Sequence, residues 1–253
     1  MSRDINFDDL GEHFQKRIYG SHKGKIRLAV LKRDLEEQVP GIKAGGLTVL
    51  DVGAGLGQMG LHLAGLGHDV CINDISTNML AVAKRTACEQ GMEKNMRWSH
   101  GSFQDLEAKP YDLVLCHAVL EWLNKPESFF MKLCELTHKN SWVSLMFYNK
   151  DALVFHNLLR GNFKKISRDD FSGMKGGLTP PNPLRPAWVE NKLQQYGFEV
   201  CYRSGIRVFS DYVGAKRGGN MHEADVLDME LQYSRQIPYL LLGRYVHVMC
   251  RQK

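Results

Sequence analysis

The sequence predicts an α/β fold, a mostly parallel sheet with helices on both faces, and three stretches carry that prediction. Leu47–Val52 is apolar and β-branched and runs straight into the glycine-rich turn Gly53-Ala-Gly-Leu-Gly57. Asp69–Asp74 is a second apolar run that ends on an acid, and Asp112–Cys116 is a third with no alternation of polar residues. Strands that read as continuously apolar are covered on both faces, and the stretches between these three carry helical spacing, the pattern of strand–helix–strand crossovers.

With 253 residues, 43% of them hydrophobic and 24% charged, the chain suits a single domain over residues 1–253 that buries roughly 70–75% of its unfolded surface. A formal net charge of +5 permits a polyanionic partner without requiring one. The six cysteines, Cys71, Cys88, Cys116, Cys134, Cys201 and Cys250, are scattered without C-x-x-C spacing. They are expected to be buried reduced thiols, which implies a cytoplasmic protein without structural zinc or other metal. The N-terminus lacks the basic-then-apolar layout of a secretory signal, and no apolar run approaches the roughly 20 residues that span a bilayer, so no membrane is expected as a partner.

Taken in order, Phe7, Leu10, Phe14 and Ile18 recur at helical spacing and Tyr19-Gly-Ser21 ends that helix. A second helix over about Gly24–Glu37 places Ile26, Val30 and Leu31 on one side, with Arg27 in the same turn. After the glycine turn a helix starts at Gln58 and ends at Gly65 and Gly67. Val70–Asn73 is a strand, Ser76 an N-cap, and Met79, Leu80 and Ala83 the buried stripe of a helix that stops near Gly91. Met96–His100 makes a third strand and Asp112–Cys116 a fourth, with His117 at its C-terminal end. Val119–Leu123 is expected to open a helix with Trp122 in the core. Pro126 starts the helix that carries Phe129, Phe130, Leu133 and Leu136, and Trp142–Tyr148 is a fifth strand. Leu178-Thr-Pro-Pro-Asn-Pro183 must be an extended loop, and Pro186 opens a helix through Tyr196.

The glycine turn points to a ligand. A turn with so little side chain lets backbone N–H groups approach a bound molecule. Its spacing is G-x-G-x-G rather than the G-x-G-x-x-G of a nicotinamide fold, and Asp51 stands directly before it. A carboxylate there repels phosphate and suits an amino group. Asp74 lies near the roughly 20-residue spacing at which an acid meets a ribose hydroxyl. The ligand these residues fit is a nucleoside with an amino-acid-like end. Ligands of open α/β sheets bind beyond the carboxyl ends of the strands, which places His117 beside that end as a contact rather than a general base.

Val-Leu-Asp-Val-Gly-Ala-Gly-Leu-Gly, Asn-Asp-Ile-Ser-Thr-Asn-Met-Leu and Tyr-Asp-Leu-Val-Leu-Cys-His-Ala-Val-Leu-Glu-Trp resemble three successive motifs of the class I S-adenosylmethionine-dependent methyltransferases. The resemblance implies a Rossmann-like sheet of seven strands, mostly parallel with an antiparallel last strand, in which Phe198–Val208 and Tyr245–Arg251 form the closing pair. It also implies S-adenosyl-L-methionine as cofactor. Residues 1–40 would then be a helical cover from which Arg27 reaches the cofactor's carboxylate, and Gly101-Ser-Phe-Gln-Asp105 the adenine segment, through Ser102 and Phe103 or through Asp105. The cofactor-binding set is Arg27, Asp51, Gly53, Ala54, Gly55, Asp74, Ser102, Phe103 and His117.

Further stretches resemble the bacterial tRNA 5-carboxymethoxyuridine methyltransferases: Asn-Phe-Asp-Asp from Asn6, Ile-Tyr-Gly-Ser from Ile18, Lys-Gly-Lys-Ile-Arg from Lys23, Ser-Leu-Met-Phe-Tyr-Asn from Ser144, Gly-Ile-Arg-Val-Phe-Ser-Asp-Tyr from Gly205 and Gly-Arg-Tyr-Val-His-Val from Gly243. That family esterifies the carboxymethoxy group of the wobble uridine, which implies a tRNA anticodon stem-loop as partner. The alternatives are a methyltransferase for a small carboxylate or phenol, and a non-catalytic cofactor-binding partner protein. No base is needed for a carboxylate nucleophile, so no catalytic residue is assigned, and Tyr148, Asn149, Arg207, Arg244 and Tyr245 are the candidates for positioning the substrate. Residues 149–185 and 211–242 are insertions suited to substrate recognition. The first holds Arg160, Lys164, Lys165, Arg168, Lys175 and Arg185 against Asp169 and Asp170, with Phe163 and Phe171 interleaved, a composition that suits an RNA backbone and an unstacked base.

Overall fold

The computed structural model describes residues 21–171, 179–213 and 222–253. The helix expected over Phe7–Ile18, and Lys175, lie outside the described residues. Ser21 caps the first helix, α1 (His22–Gln38), by accepting the Gly24 N–H, and the helix buries Ile26, Val30, Leu31 and Leu35. There follow β1 (Thr48–Val52), α2 (Gln58–Gly65), β2 (Asp69–Asp74), α3 (Thr77–Glu89), β3 (Met96–His100) and β4 (Tyr111–His117). Ser76 caps α3 by accepting the Met79 N–H, and Met79, Leu80 and Ala83 are its buried stripe, as the spacing predicts. The chain continues through α4 (Glu127–Glu135), β5 (Thr137–Tyr148), α5 (Lys150–Leu159), α6 (Phe163–Ser167), α7 (Pro186–Gln195), β6 (Phe198–Ile206), α8 (Glu223–Tyr233), α9 (Tyr239–Leu242) and β7 (Tyr245–Gln252).

The strands form one sheet in the order β3-β2-β1-β4-β5-β7-β6, parallel throughout except for β7, which runs antiparallel to both neighbours. The apolar character of the central strands follows from cover on both faces. In β4, Val114 and Cys116 enter one core with Phe129, Phe130 and Leu193, while Leu113 and Leu115 enter the other with Ile26, Val30 and Leu63. The order reverses between β1 and β4, and a crevice opens there at the carboxyl ends of the strands.

Three expectations need correction. Val119–Leu123 does not open an α-helix; Ala118 takes φ 60° and only a single tight turn, Leu120–Trp122, forms. Trp122 is half-buried instead of core. Cys71, Cys116 and Cys250 are buried, but Cys88 lies on the exposed side of α3 and Cys201 points outward from the edge strand β6, so position on an element outweighs the apolar pattern around it. Among the described residues all six thiols are free, no helix is long and apolar enough to cross a membrane, and no group of residues suited to holding a metal ion is found.

Candidate active site

The crevice has two chambers that meet at Gly53. The larger encloses about 570 Å³ and is lined by Asp74, Ser102, Phe103, Val119 and Trp122 among others. The smaller encloses about 370 Å³ between Arg27, Asp51, Ala54, Gln58, His117 and Met146. Eight of the nine sequence-predicted cofactor residues thus line the crevice, and the ninth, Gly55, donates its N–H to Asp74 at 2.7 Å. Asp105 is exposed and lines neither chamber.

Glycine is needed at position 53 for two reasons. Its φ is +59°, and a Cβ there would fall 2.5 Å from the Val119 side chain. The donors of the turn, however, do not face the crevice as the sequence suggests. Ala54 N–H goes to the Asn73 carbonyl, Gly55 N–H to Asp74 and Gly57 N–H to the Ala54 carbonyl. A phosphate would find these donors already engaged, so the turn is not a pyrophosphate cradle. What it does instead is hold an acid: Asp74 takes Gly55 N–H on one oxygen and Ser76 N–H, at 2.8 Å, on the other, which fixes its carboxylate at the wall of the larger chamber.

Asp51 is buried, and that burial pushes its carboxyl up to about 7, against a single hydrogen bond from Gly60 N–H at 3.1 Å and with the Asp74 charge adding to the rise. A cationic group in the smaller chamber would restore its charge. His117 is held well below the usual histidine range, chiefly by burial, with the Arg27 guanidinium adding to the fall, so it is neutral. Ser102 accepts Gln104 N–H and thereby caps the turn that packs Phe103 edge-on against Phe129, with centroids 5.7 Å apart. The crevice thus offers a fixed carboxylate at one wall, an apolar slot beside Phe103, and a second chamber with one arginine and one buried acid.

A cationic and aromatic cluster lies beside the smaller chamber. The guanidinium carbons of Arg27 and Arg207 sit 4.6 and 5.5 Å from the Tyr245 ring centroid, and that ring is 5.3 Å from Tyr148. Arg244 donates to the Tyr148 hydroxyl at 3.3 Å and to Asp211 at 2.8 Å. Arg207 and Lys23 also reach Asp211, at 3.4 and 3.5 Å. One carboxylate therefore serves three cations, and Arg27 has no acid within ion-pairing distance among the described residues. Positive charge is left over in a half-dry site.

Its scaffold is backbone-driven. Arg207 is held at φ +59° while Glu230, fully buried, accepts the N–H groups of Val208, Phe209 and Ser210. Asn149 is not free to touch a substrate: it is fully buried, caps α5 through Asp151 N–H, and spends both amide hydrogens on the Leu241 and Gly243 carbonyls at 2.9 Å. Asp211 and Glu230 are the residues that sequence reasoning missed. The signal for Asp211 was its place in the Gly-Ile-Arg-Val-Phe-Ser-Asp-Tyr stretch; Glu230, 18 residues beyond that stretch, carried none.

Both insertions border this cluster. Along α5 and α6, Leu158, Leu159 and Phe163 are exposed, Phe163 by 64%, between Arg160, Lys164, Lys165 and Arg168. Phe171 instead packs inward against Tyr148 and Leu153, and Arg185 is tied to Asp151. From the second insertion α8 packs on α1 and α9 on α5.

The sheet order, the acid-bearing glycine turn on β1 and the acid ending β2 define a class I methyltransferase. The methyltransferase domain family matches residues 49–140. Magnesium protoporphyrin IX methyltransferase of Synechocystis PCC 6803, solved with bound SAH, shares the fold at 18% identity and TM-score 0.61 over 98% of this chain and 96% of that one. A putative methyltransferase of Haloferax volcanii in complex with the Trm112 activator does so at 14% identity and TM-score 0.62 over 99% of both chains. The tRNA 5-carboxymethoxyuridine methyltransferase of Escherichia coli K12 is 38% identical over 99% of this chain and 97% of its own length. The chain belongs to the tRNA 5-carboxymethoxyuridine methyltransferase family. Ubiquinone biosynthesis O-methyltransferase of Paraburkholderia phytofirmans, by contrast, matches at 31% identity over 42% of this chain and 47% of that one.

Proposed function

We propose that this protein methylates the carboxylate of 5-carboxymethoxyuridine at the tRNA wobble position, giving the methyl ester, in the cytoplasm. The observation that carries the reading is end-to-end sequence likeness to a tRNA 5-carboxymethoxyuridine methyltransferase, over 99% of this chain, where a ubiquinone biosynthesis O-methyltransferase matches 42% of it in sequence. S-adenosylmethionine supplies an electrophilic methyl group when bound. The rest is done by this chain's own residues. Asp74 takes the ribose hydroxyls, the Ser102–Phe103 turn the adenine, Arg27 the cofactor carboxylate, and Asp51 and His117 the ammonium.

The nucleophile is already ionised near neutral pH, since an unperturbed carboxyl titrates at about 4, so the protein needs no base. Its task is to hold one carboxylate oxygen in line with the methyl group, an arrangement worth up to ~7–11 kcal/mol. Arg207 and Arg244 suit the anchor, because each is oriented by Asp211 and an aromatic ring and keeps N–H groups for a second anion. Tyr148 and Tyr245 shape that anchor, and Asn149 braces it from behind. An anticodon loop is single-stranded, so splaying out its wobble base costs less than opening a duplex. The exposed apolar and cationic face of α5 and α6 supplies backbone and stacking contacts.

The test is incubation with labelled S-adenosylmethionine and two tRNAs, one carrying the carboxymethoxy group and one with plain uridine. Ester formation only on the first is expected. Methylation indifferent to that carboxylate would refute the reading, as would transfer to small phenols with no transfer to tRNA. Unaltered cofactor with both tRNAs would point to a non-catalytic binding protein.

A further inference from the structure

Behind His117 runs a buried chain of hydrogen bonds that the methyl transfer does not use. Asp34 on α1 meets Nδ1 of His247 on β7 at 2.8 Å. His247 Nε2 meets the Ser144 hydroxyl on β5 at 2.7 Å, and that hydroxyl meets Nε2 of His117 on β4 at 2.8 Å. Asp34, Ser144 and His247 are all 0% exposed. The chain crosses three adjacent strands from α1 to the smaller chamber, whose wall His117 forms.

We propose that Asp34, His247 and Ser144 are positioning residues that fix the proton of His117 on Nε2 and so present its bare Nδ1, as a hydrogen-bond acceptor, to the ammonium of a ligand in that chamber. This rests on the reading of the chamber as the seat of the cofactor's amino-acid end. The direction follows from what each group can do. Arg33 donates to Asp34 at 2.8 and 3.1 Å and Arg235 at 3.0 Å, so the carboxylate is ionised and acts only as an acceptor. His247 must donate from Nδ1, and where that is the only proton on the ring, Nε2 is left as a lone pair. The Ser144 hydroxyl donates into that lone pair, and its oxygen accepts from His117 Nε2–H. Nδ1 of His117 keeps its lone pair, and no bond among the described residues engages it.

The surrounding charges agree with that orientation. Facing His117 are Arg27 from α1, whose charge together with burial opposes a second proton on the ring, and His247 from β7, and Asp51 from β1 lines the same chamber. Arg33 and Arg235 face the far end of the chain at Asp34. A neutral acceptor beside Asp51 gives an ammonium two partners while Arg27 remains for the carboxylate. The opposite orientation, with a doubly protonated His247 donating to Ser144, would leave Nδ1–H pointing at the ligand, a donor that opposes an ammonium.

Ring ¹⁵N spectra of the ligand-free, histidine-labelled protein test the relay directly. His117 is expected with its proton on Nε2 and a bare Nδ1, and Ser144→Ala is expected to turn this into a mixture of tautomers. Calorimetry with S-adenosylmethionine should show about five- to tenfold weaker binding for S144A, the size of one hydrogen bond. A proton on Nδ1 in the unmodified protein would overturn the proposal, as would a tautomer and an affinity that S144A leaves unchanged. Should the variant fail to fold, the spectrum of the unmodified protein still decides. Absence of heat with S-adenosylmethionine from the folded, unmodified protein would overturn the cofactor reading and the assigned ligand, while the tautomer reports on the relay separately.

Discussion

Glu121 is fully buried in the tight turn after β4, and neither of its carboxylate oxygens has a partner in hydrogen-bonding geometry. Burial pushes it up to about 7; backbone N–H groups nearby and the charge of Arg27 pull it back only in part. An unfolded glutamate titrates near 4.5, so the unfolded chain gives up this proton first as pH rises. Stability from the protonated group is therefore complete below about pH 4.5, falls through the interval up to about 7, and is gone above it. The interval corresponds to on the order of 3 kcal/mol, at about 1.4 kcal/mol for each unit. For a chain of this length that is a Tm difference of roughly 5–10 °C. Glu121→Gln keeps the shape and removes the titration. Thermal unfolding of both ligand-free proteins at pH 5 and pH 8.5 isolates the effect, because any fixed cost of the buried amide cancels. The gap between variant and parent should widen in favour of the variant at the higher pH by about that amount. A gap that does not change with pH would mean that Glu121 is ionised and compensated in the native protein, and would refute the reasoning.

Four other outcomes follow from the site. Asp51 is half-protonated near pH 7, so S-adenosylmethionine should displace a proton on binding; calorimetry in buffers of different ionisation enthalpy should detect this in the parent and not in Asp51→Asn, with affinity about tenfold lower in the variant. Gly53→Ala sets a Cβ 2.5 Å from Val119 at a positive φ and should lower both Tm and cofactor affinity, with Val119→Ala restoring only the steric part. Arg244→Met should raise KM for the modified tRNA by tenfold or more and leave the Kd for S-adenosylmethionine unchanged, which separates the substrate anchor from the cofactor site. Lys164→Glu with Lys165→Glu should weaken tRNA binding and reduce the slope of log affinity against log salt by about 1 for each phosphate that is no longer neutralised; an unchanged slope would remove α6 from the RNA surface.

The elements legible in the sequence are those whose cause is local. Ser76 caps α3 because a side-chain oxygen three residues before Met79 N–H is within reach of that donor, and β4 reads as a buried strand because four consecutive apolar residues, Leu113–Cys116, demand cover on both faces. The crevice was legible for the same reason, since Asp51, Gly53 and Asp74 sit at or just beyond the ends of strands that the pattern locates. Failures begin where a backbone conformation or a partner distant in sequence decides. The expected helix at Val119 gives way to one turn because Ala118 takes a positive φ, a backbone choice that no periodicity in Val119–Leu123 reveals.

The same limit governs the polar interior. Asp34 reads as one more charged residue on a helix, yet it is fully buried and bonded to His247, 213 positions away, because α1 folds back onto β7. His247 and Ser144 lie on strands whose apolar pattern says only that they face inward. What makes them a chain ending at His117 is the antiparallel register that sets Met146 opposite His247, together with the parallel register that sets His117 opposite Met146. Sheet registers are fixed by the whole core, and a one-residue slip would turn every one of these side chains to the other face. The buried polar groups behind the site thus owe their positions to the packing of both apolar cores, which is why mutations that loosen α1 against β7 are expected to alter cofactor affinity without touching the crevice itself.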